Sequence, residues 1–509
     1  MAGATPLQPG TLGVAWWGGL VGQPLRGDGR PVALDLPALM EATLRCSARV
    51  AAFESRRWAV AEETTIAEAA FDPTTYANTR FDDTSDPVGN ALQTGGPPRL
   101  NEHIWNGEAG LRRRLTTGAN VSLGQQLGHW NSNSLFFTPN NQGSSRLGMQ
   151  LSQPLLRGRG RAYNLSFVVE TSLAGERAAA DYLLALQSQL AEVGAAYWSL
   201  TERRAVLLQV QRHVERAAAI ADELEGRRGL DTVESQVLRA RAAVATRRVE
   251  LAQAAADIRN LEARIRTLTN ADRLLGPAAV EIVPTQQPPP EAITPGDEAS
   301  LRRHTAAALR RRPELIGLIA DAEAAGIRVA QAEHELRPTL DLVAEAFVRG
   351  LDGGSDVGTS FLRQFNTGAP GYGLGVEFAA PIGNRAAKAS LRQRRFEAAR
   401  VAGLIREQVE LVRAEVEVAA RNLRVADQTR RGRRDSLLAV QKDLAYVTDR
   451  WRSLRGDTRL GRLQLEDLLA AQVRLLDEEK ALAAAEAAVG AAAVELQRAS
   501  GGLVQASPR

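Results

Sequence analysis

The stretch Arg146-Leu-Gly-Met-Gln-Leu-Ser-Gln-Pro-Leu-Leu-Arg-Gly-Arg-Gly-Arg-Ala-Tyr-Asn-Leu165 decides the fold. Leu147, Met149 and Leu151 alternate with Arg146, Gln150 and Ser152, the period of a strand with one apolar and one polar face. Pro154 lacks a ladder donor and belongs at a strand end. The glycine-rich basic corner through Gly158 then leads into a long Ala/Leu-rich helical run, so the stretch reads as a strand-to-helix junction.

The junction recurs. Leu374-Gly-Val-Glu-Phe-Ala-Ala-Pro381 matches Leu147 to Pro154 at leucine, glycine and proline, and a basic, Ala-rich helical stretch again follows. Upstream, Arg337-Pro338-Thr339-Leu340 echoes Asp72-Pro73-Thr74-Thr75, each at the close of a helical pattern. The chain therefore reads as duplicated, with helix, strands and a long helical hairpin in each half. The expected divisions are an N-terminal segment 1–33, poorly ordered or the remnant of an export signal, a first repeat 34–275, a Pro-rich linker 276–298, a second repeat 299–503 and a tail 504–509.

Working outward from the first junction, Phe71 to Asp82 reads as a weak strand and Asp86 to Trp105 as loop. Gly107 to Leu127 is a further alternating segment, and Asn131 to Ser145 a polar loop suited to the exposed end of a membrane barrel. On the other side, Leu165 to Leu224 is one helical pattern of about 60 residues, roughly 90 Å at 1.5 Å per residue. Leu186, Val193, Leu200, Leu207, Val214 and Ala221 recur every seven residues, a coiled-coil signature, until Gly226 and Gly229 break it. A returning stripe follows at Val237, Val244, Leu251, Ile258 and Ile265. The second half repeats this at Val409, Val416, Leu423, Leu437 and Leu444, with Arg430 interrupting, a break at Gly456, and then Leu468, Leu475, Leu482, Val489, Leu496 and Leu503.

Composition excludes several classes. The 509 residues carry a net charge of +4, but arginines and glutamates are interspersed along helical faces, which reads as solvated surface and gives no nucleic-acid stripe. Cys46 is the single cysteine and has no lipidation context. No stretch reaches 18 apolar residues, so any contact with a bilayer must be made by strands. His334-Glu335 lacks a second histidine, the five histidines show no metal spacing, and Gly158-Arg-Gly and Gly371-Tyr-Gly-Leu-Gly lack the Lys and Ser/Thr of a phosphate loop. The expectation is a non-enzyme with no cofactor and no metal.

At the hairpin tips, superposing Gln236 on Gln472 places Asp231 over Asp467, both read as opening an ascending helix. They are either acids favoured by the helix dipole or, if several tips converge on an axis, a ring of negative charge at a tunnel entrance. Gln153-Pro154-Leu155-Leu156-Arg157-Gly158-Arg159-Gly160, Arg312-Pro313-Glu314-Leu315 and Leu465-Glu466-Asp467-Leu468-Leu469-Ala470-Ala471-Gln472 resemble the TolC-like outer-membrane efflux family across about Leu34 to Gly502. The chain departs from that family at Ala470, where a second acid is usual, and in the added segment 107–127.

The resemblance implies mainly long α-helical coiled coils with duplicated halves, forming a trimeric transmembrane β-barrel continued by a periplasmic α-helical tunnel. Four strands cannot close a barrel alone and open edges cannot face lipid, whereas three copies would supply twelve. The implied function is the exit duct of an efflux or type I secretion system in the cell outer membrane. Its implied partners are outer-membrane lipid, an inner-membrane transporter and a periplasmic adaptor, which would dock at the tips around Gly226, Gly229, Leu230 and Gly456. The alternative is a periplasmic coiled-coil scaffold without a channel.

Overall fold

The computed structural model describes residues 15–26, 29–228, 233–275, 280–288, 298–453 and 461–504. A short helix α1 (Gly18–Val21) and strand β1 (Arg30–Leu34) precede α2 (Leu36–Cys46) and α3 (Ala48–Glu68). Four strands follow: β2 (Thr74–Pro87), β3 (Arg99–Arg114), β4 (Asn120–Ser132) and β5 (Asn141–Pro154). The turn α4 (Arg161–Asn164) leads to the long pair α5 (Ser166–Gly226) and α6 (Glu234–Thr269), and then to β6 (Val280–Pro284). The second half has α7 (Glu298–Arg311), α8 (Pro313–His334), β7 (Thr339–Asp352), α9 (Val357–Asn366), β8 (Gly371–Ala379), α10 (Arg385–Ser453) and α11 (Gly461–Ala499).

Two compact units draw on both halves of the chain, one from residues 1–57, 179–317 and 405–509, the other from 58–178 and 318–404. In the first, the heptad residues are the core. Leu186, Val193, Leu200 and Leu207 of α5, Val237, Val244, Ile258 and Ile265 of α6, and Leu468, Leu475, Leu482, Val489 and Leu496 of α11 are all buried. Trp451 extends the α10 column one heptad past Leu444 and is buried as well. Arg430 does interrupt that column; it is buried with its guanidinium on Asp427, which keeps a charge inside a seam from standing unpaired. The close approach of α5 and α11 depends on Gly490, where a Cβ would lie 2.3 Å from the Trp198 ring.

Part of the N-terminal segment expected to be poorly ordered is packed. Trp17 and Val21 are buried among α5, α6 and α11 residues, and β1 pairs in parallel with β6 from Arg30↔Val280 to Leu34↔Pro284. The Pro-rich linker thus contributes a fully buried strand. The fastening is polar and the hydrophobic pattern gives no sign of it. Arg204 of α5, 1% exposed at its side chain, donates to Val21 O at 3.0 Å and pairs with Glu281 of β6 at 2.7 Å. Glu281 also accepts from the backbone N–H of Leu25 at 2.8 Å. Burial opposes its ionisation, but the hydrogen bonds from Leu25 and Arg204 outweigh burial and hold its carboxyl below the usual range.

In the other unit the six long strands form one antiparallel sheet in the order β2-β3-β4-β5-β7-β8. The expected four strands are six, for two local reasons. The stretch 86–105 lacks clean alternation, yet β3 begins inside it at Arg99 and pairs with β2 from Pro87↔Arg99 to Thr74↔Arg112. The run 107–127, which reads as one strand, reverses at Leu115–Ala119, where Gly118 takes φ +95° and the Leu115 N–H donates to Ala119 O at 2.7 Å. Its two arms belong to β3 and β4.

Candidate functional site: a two-faced sheet and its junctions

The ladder registers sort the sheet's side chains onto two faces. One face carries Leu111 and Leu123, Met149, Ala346 and Val348, then Tyr372, Leu374, Val376 and Phe378 on the edge strand β8. Val348 is half-buried, but the other large apolar groups are exposed: Tyr372 at 88% and Leu374 at 74%. The opposite face is polar. Arg146 is ion-paired with Glu345, and Phe347 lies between the guanidinium groups of Arg146 and Arg349, each 4.6 Å from its ring centre. Tyr76 hydrogen-bonds Glu108 at 2.7 Å across β2 and β3. Asn78, Glu108, Gln126, Arg146 and Arg349 line a shared cavity of ≈ 700 Å³, so the sheet curls with its polar face concave. Apolar outside and polar inside is the reverse of a soluble fold.

Two glycines let the polar face form. A Cβ at Gly110 would stand 2.5 Å from Leu123 O and 2.8 Å from Tyr76 Oη, and one at Gly124 2.6 Å from that hydroxyl, so the tyrosine lies flat over both.

The outward face has a polar gap at Gln125, Ser145 and Gly350, and α9 covers it. Ser360 Oγ donates to Gly350 O at 2.9 Å, Ser145 Oγ donates to Ser360 O at 2.7 Å, and Gln364 and Gln125 exchange amide hydrogen bonds at 3.1 and 3.3 Å. The helix shows its polar face to the sheet, while Phe361, Leu362 and Phe365 remain exposed. Asp356 caps its start by accepting from the N–H groups of Gly358 and Thr359. Residues 349–371 are rich in glycine and show neither strand alternation nor a long helical stripe; the signal they do carry for this helix is the Phe361/Phe365 spacing with Ser360/Gln364 beside it.

Pro154 closes β5, Gly158 takes φ +84°, and Pro381 follows β8. Each corner is tied by an asparagine that the sequence reading missed. Buried Asn164 donates to Gly158 O at 2.7 Å and to Gly160 O at 2.9 Å, and accepts from Arg114 at 2.9 Å; Asn384 donates to Leu336 O at 3.0 Å. The Arg312-Pro-Glu-Leu motif is also structural: Arg312, 2% exposed, meets Glu314 at 2.7 Å, Glu415 at 2.8 Å and Ala499 O at 3.3 Å, clamping the α7–α8 break to α10 and the end of α11.

Of the tip residues, Gly226 ends α5 and is exposed, with nothing within 4 Å of a would-be Cβ. Gly229, Leu230, Asp231 and Gly456 lie outside the described residues. Asp467 is exposed, but it does not open a helix: α11 begins at Gly461, which sets Asp467 in its second turn, beyond the reach of the dipole. Neighbouring Glu466 is ion-paired with Arg239 of α6. No described helix is long and apolar enough to cross a membrane.

No protein-family model and no curated protein matches the chain. Solved structures do. It is similar to CusC, which forms a transmembrane channel, at TM-score 0.66 and 12% identity over 99% of both chains. It is similar to the outer membrane protein VceC of Vibrio cholerae at TM-score 0.63 and 17% identity, over 92% of this chain and 96% of that one. It is similar to the open state of the Neisseria gonorrhoeae outer membrane channel MtrE at TM-score 0.62 and 16% identity, over 92% and 89%. The chain has the TolC-like outer-membrane channel fold.

Proposed function

We propose that the chain is one third of a trimeric outer-membrane channel, the passive exit duct of a multipart efflux or type I secretion system, with its long helices in the periplasm. The observation that carries this is the reversed polarity of the sheet. An exposed face of leucine, valine and aromatic side chains suits lipid acyl chains, and a concave face of arginine, glutamate and amide groups suits a water-filled lumen. The α9 helix fits the same scheme, because Phe361, Leu362 and Phe365 present hydrocarbon where Gln125 and Ser145 would otherwise meet lipid.

Copies are required because β2 and β8 are sheet edges, each with one row of backbone groups unpaired within the chain. On α10, Leu411, Val418, Val425 and Tyr446 occupy a second heptad column and are about half exposed or more, an apolar seam for a neighbouring copy. Two-faced strands of this length serve no purpose in a periplasmic scaffold. Transport would be moved by an inner-membrane transporter reached through a periplasmic adaptor at the tips around Gly226, Gly229, Leu230 and Gly456, and Asp467 with Asp231 would set the charge of the entrance.

The test is fractionation of the expressed protein. Recovery from outer membranes as a trimer that dissociates on heating is expected; a soluble, elongated monomer in detergent-free buffer would overturn the reading.

A further inference from the structure

We infer that β3 and β4 are wall strands, so that closure of three copies gives a barrel of eighteen strands, with a bore about half as wide again as the expected twelve-strand wall. Such an outer-membrane pore would pass large hydrated solutes. The inference rests on the trimeric-channel reading above and specifies the size class that channel carries.

Four observations support it. First, the hairpin is laddered on both sides: β3 pairs with β2 through Thr74↔Arg112 and with β4 through Arg114↔Asn120, and β4 pairs with β5 through Asn120↔Ser152. A flap lying on the sheet would have no such neighbours. Second, β3 has 16 residues and β4 has 13, whereas about 9–11 suffice for a tilted strand to cross a bilayer. Third, the faces continue through them. Leu111 and Leu123 lie level with Met149 on the apolar side, and Glu108 and Gln126 level with Arg146 on the polar side.

Fourth, the hairpin's turn is built into the first junction. The Gly160 N–H donates to Thr117 O at 3.1 Å, Arg114 holds Asn164 at 2.9 Å, and Gly118 approaches so closely that a Cβ there would lie 2.4 Å from Gly158 O. The parity is also right. An antiparallel sheet of six strands has its first and last strands running in opposite directions, so β8 of one copy meets β2 of the next as an antiparallel pair, and insertion of a hairpin preserves that match where a single strand would destroy it.

The width follows from strand spacing. At about 4.8 Å between strands and a tilt of about 40°, twelve strands enclose a backbone diameter of about 24 Å and eighteen about 36 Å. Closed sheets of sixteen to eighteen strands leave an aqueous channel. Lumen-facing charges of both signs, among them Glu108, Arg112, Arg146 and Glu345, leave such a bore without a dominant sign.

The experiment has two arms. In a Cys46→Ser background, cysteines are placed on the lumen sides of the two edges, Asn78→Cys with Gly373→Cys or Gly375→Cys, and oxidised in outer membranes; the barrel of the unsubstituted protein is imaged in nanodiscs by electron cryomicroscopy and its strands counted. Cross-linked trimers with eighteen strands are expected. A trimer with twelve wall strands, and β3 and β4 outside the wall, would overturn the inference and leave the channel reading standing. A species with no trimer and no closed wall would overturn both. Excision of residues 99–132, which leaves β2 and β5 antiparallel, should lower by about a third the radius of the largest polymer that enters from the extracellular side in planar bilayers; an unchanged limit in a folded excision variant would count against the inference.

Discussion

The two halves of the chain fill the same gap differently. Between α3 and α5 the first half lays down four strands; between α8 and α10 the second lays down two strands and the helix α9. Both insertions leave the polar face concave and the apolar face outward, and in both the added backbone finds its hydrogen bonds within the chain. The hairpin does so by joining the ladder, and the helix by bonding to itself and presenting its polar side chains to the sheet. If the sheet is a barrel wall as proposed, hydrocarbon tolerates added chain only on those terms.

The comparison is broken most severely at the glycines. In the first half Gly110 lies beneath Tyr76 and against the Leu123 carbonyl; in the second, Gly373 and Gly375 have nothing within 4 Å of a would-be Cβ. Gly110→Val should prevent assembly, since backbone and a hydrogen-bonded tyrosine would both have to move, at a cost above the about 1–3 kcal/mol usual for overpacking. Gly375→Ala should assemble normally. Trimer yield in outer membranes reads both, and equal yields would show that the inserted hairpin is not held as described.

The α9 insertion depends on a matched polar pair. Gln364→Leu should destabilise the fold by about 1–3 kcal/mol, because Gln125 is left beneath the helix without its partner. Adding Gln125→Leu should restore most of that loss, as replacing both partners by apolar groups is often nearly neutral. Heat dissociation of the four proteins in detergent gives the coupling. Additive losses would mean that the two amides do not act as a pair.

These differences decide what could be read from the sequence. Heptad columns are long and periodic, so α5, α6, α10 and α11 and their buried seams were legible, and so were the proline corners at Pro154 and Pro381. β3 was not, because polar residues fall on both its faces, Glu102 and Asn106 on the side of Glu108, Asn101 and His103 on the side of Leu111, and this blurs the period of two. The reversal at Gly118 was hidden because Val121 and Leu123 resume alternation after only five turn residues. The binding of residues 15–26 was illegible for a different reason: it draws on Arg204 and Glu281, 77 positions apart, and long-range ion pairs leave no local pattern. Asp467 was visible in its motif, but its distance from the helix start was not.

The long helices of the two halves also bury different polar groups. In α10, buried Arg430 is ion-paired with Asp427; in α5, His213 is 2% exposed and is held uncharged, since burial and the nearby Arg247, Arg216 and Lys480 push it down to about 3. The sign is that of a depressed base. Above its unfolded value near 6.5 both states are neutral and the group contributes nothing; below that, only the unfolded chain binds the proton. Stability should therefore fall by about 2 kcal/mol between pH 7 and pH 5. His213→Gln should flatten that part of the profile in denaturant unfolding, and an unaltered slope would remove His213 as its source.

The smallest effect on stability, and the most direct effect on passage, is expected at Asp467. Its neighbour Glu466 is engaged with Arg239, so its charge is largely balanced at the surface, whereas Asp467 projects exposed from the second turn of α11, too far from the helix start to serve the dipole. Removing an exposed acid in that position should change stability by no more than about 0.5 kcal/mol. In a trimer three copies would stand near the entrance, where low-dielectric walls focus a negative potential. In planar bilayers, Asp467→Ala should then lose cation selectivity and block by multivalent cations from the periplasmic side, with trimer yield unchanged, while Glu466→Ala retains both. Asp231 is the corresponding acid of the first half, and the double variant Asp231→Ala/Asp467→Ala separates the two contributions. If selectivity is unchanged in the double variant, neither acid lines the entrance, and the charge that governs passage lies elsewhere in the channel.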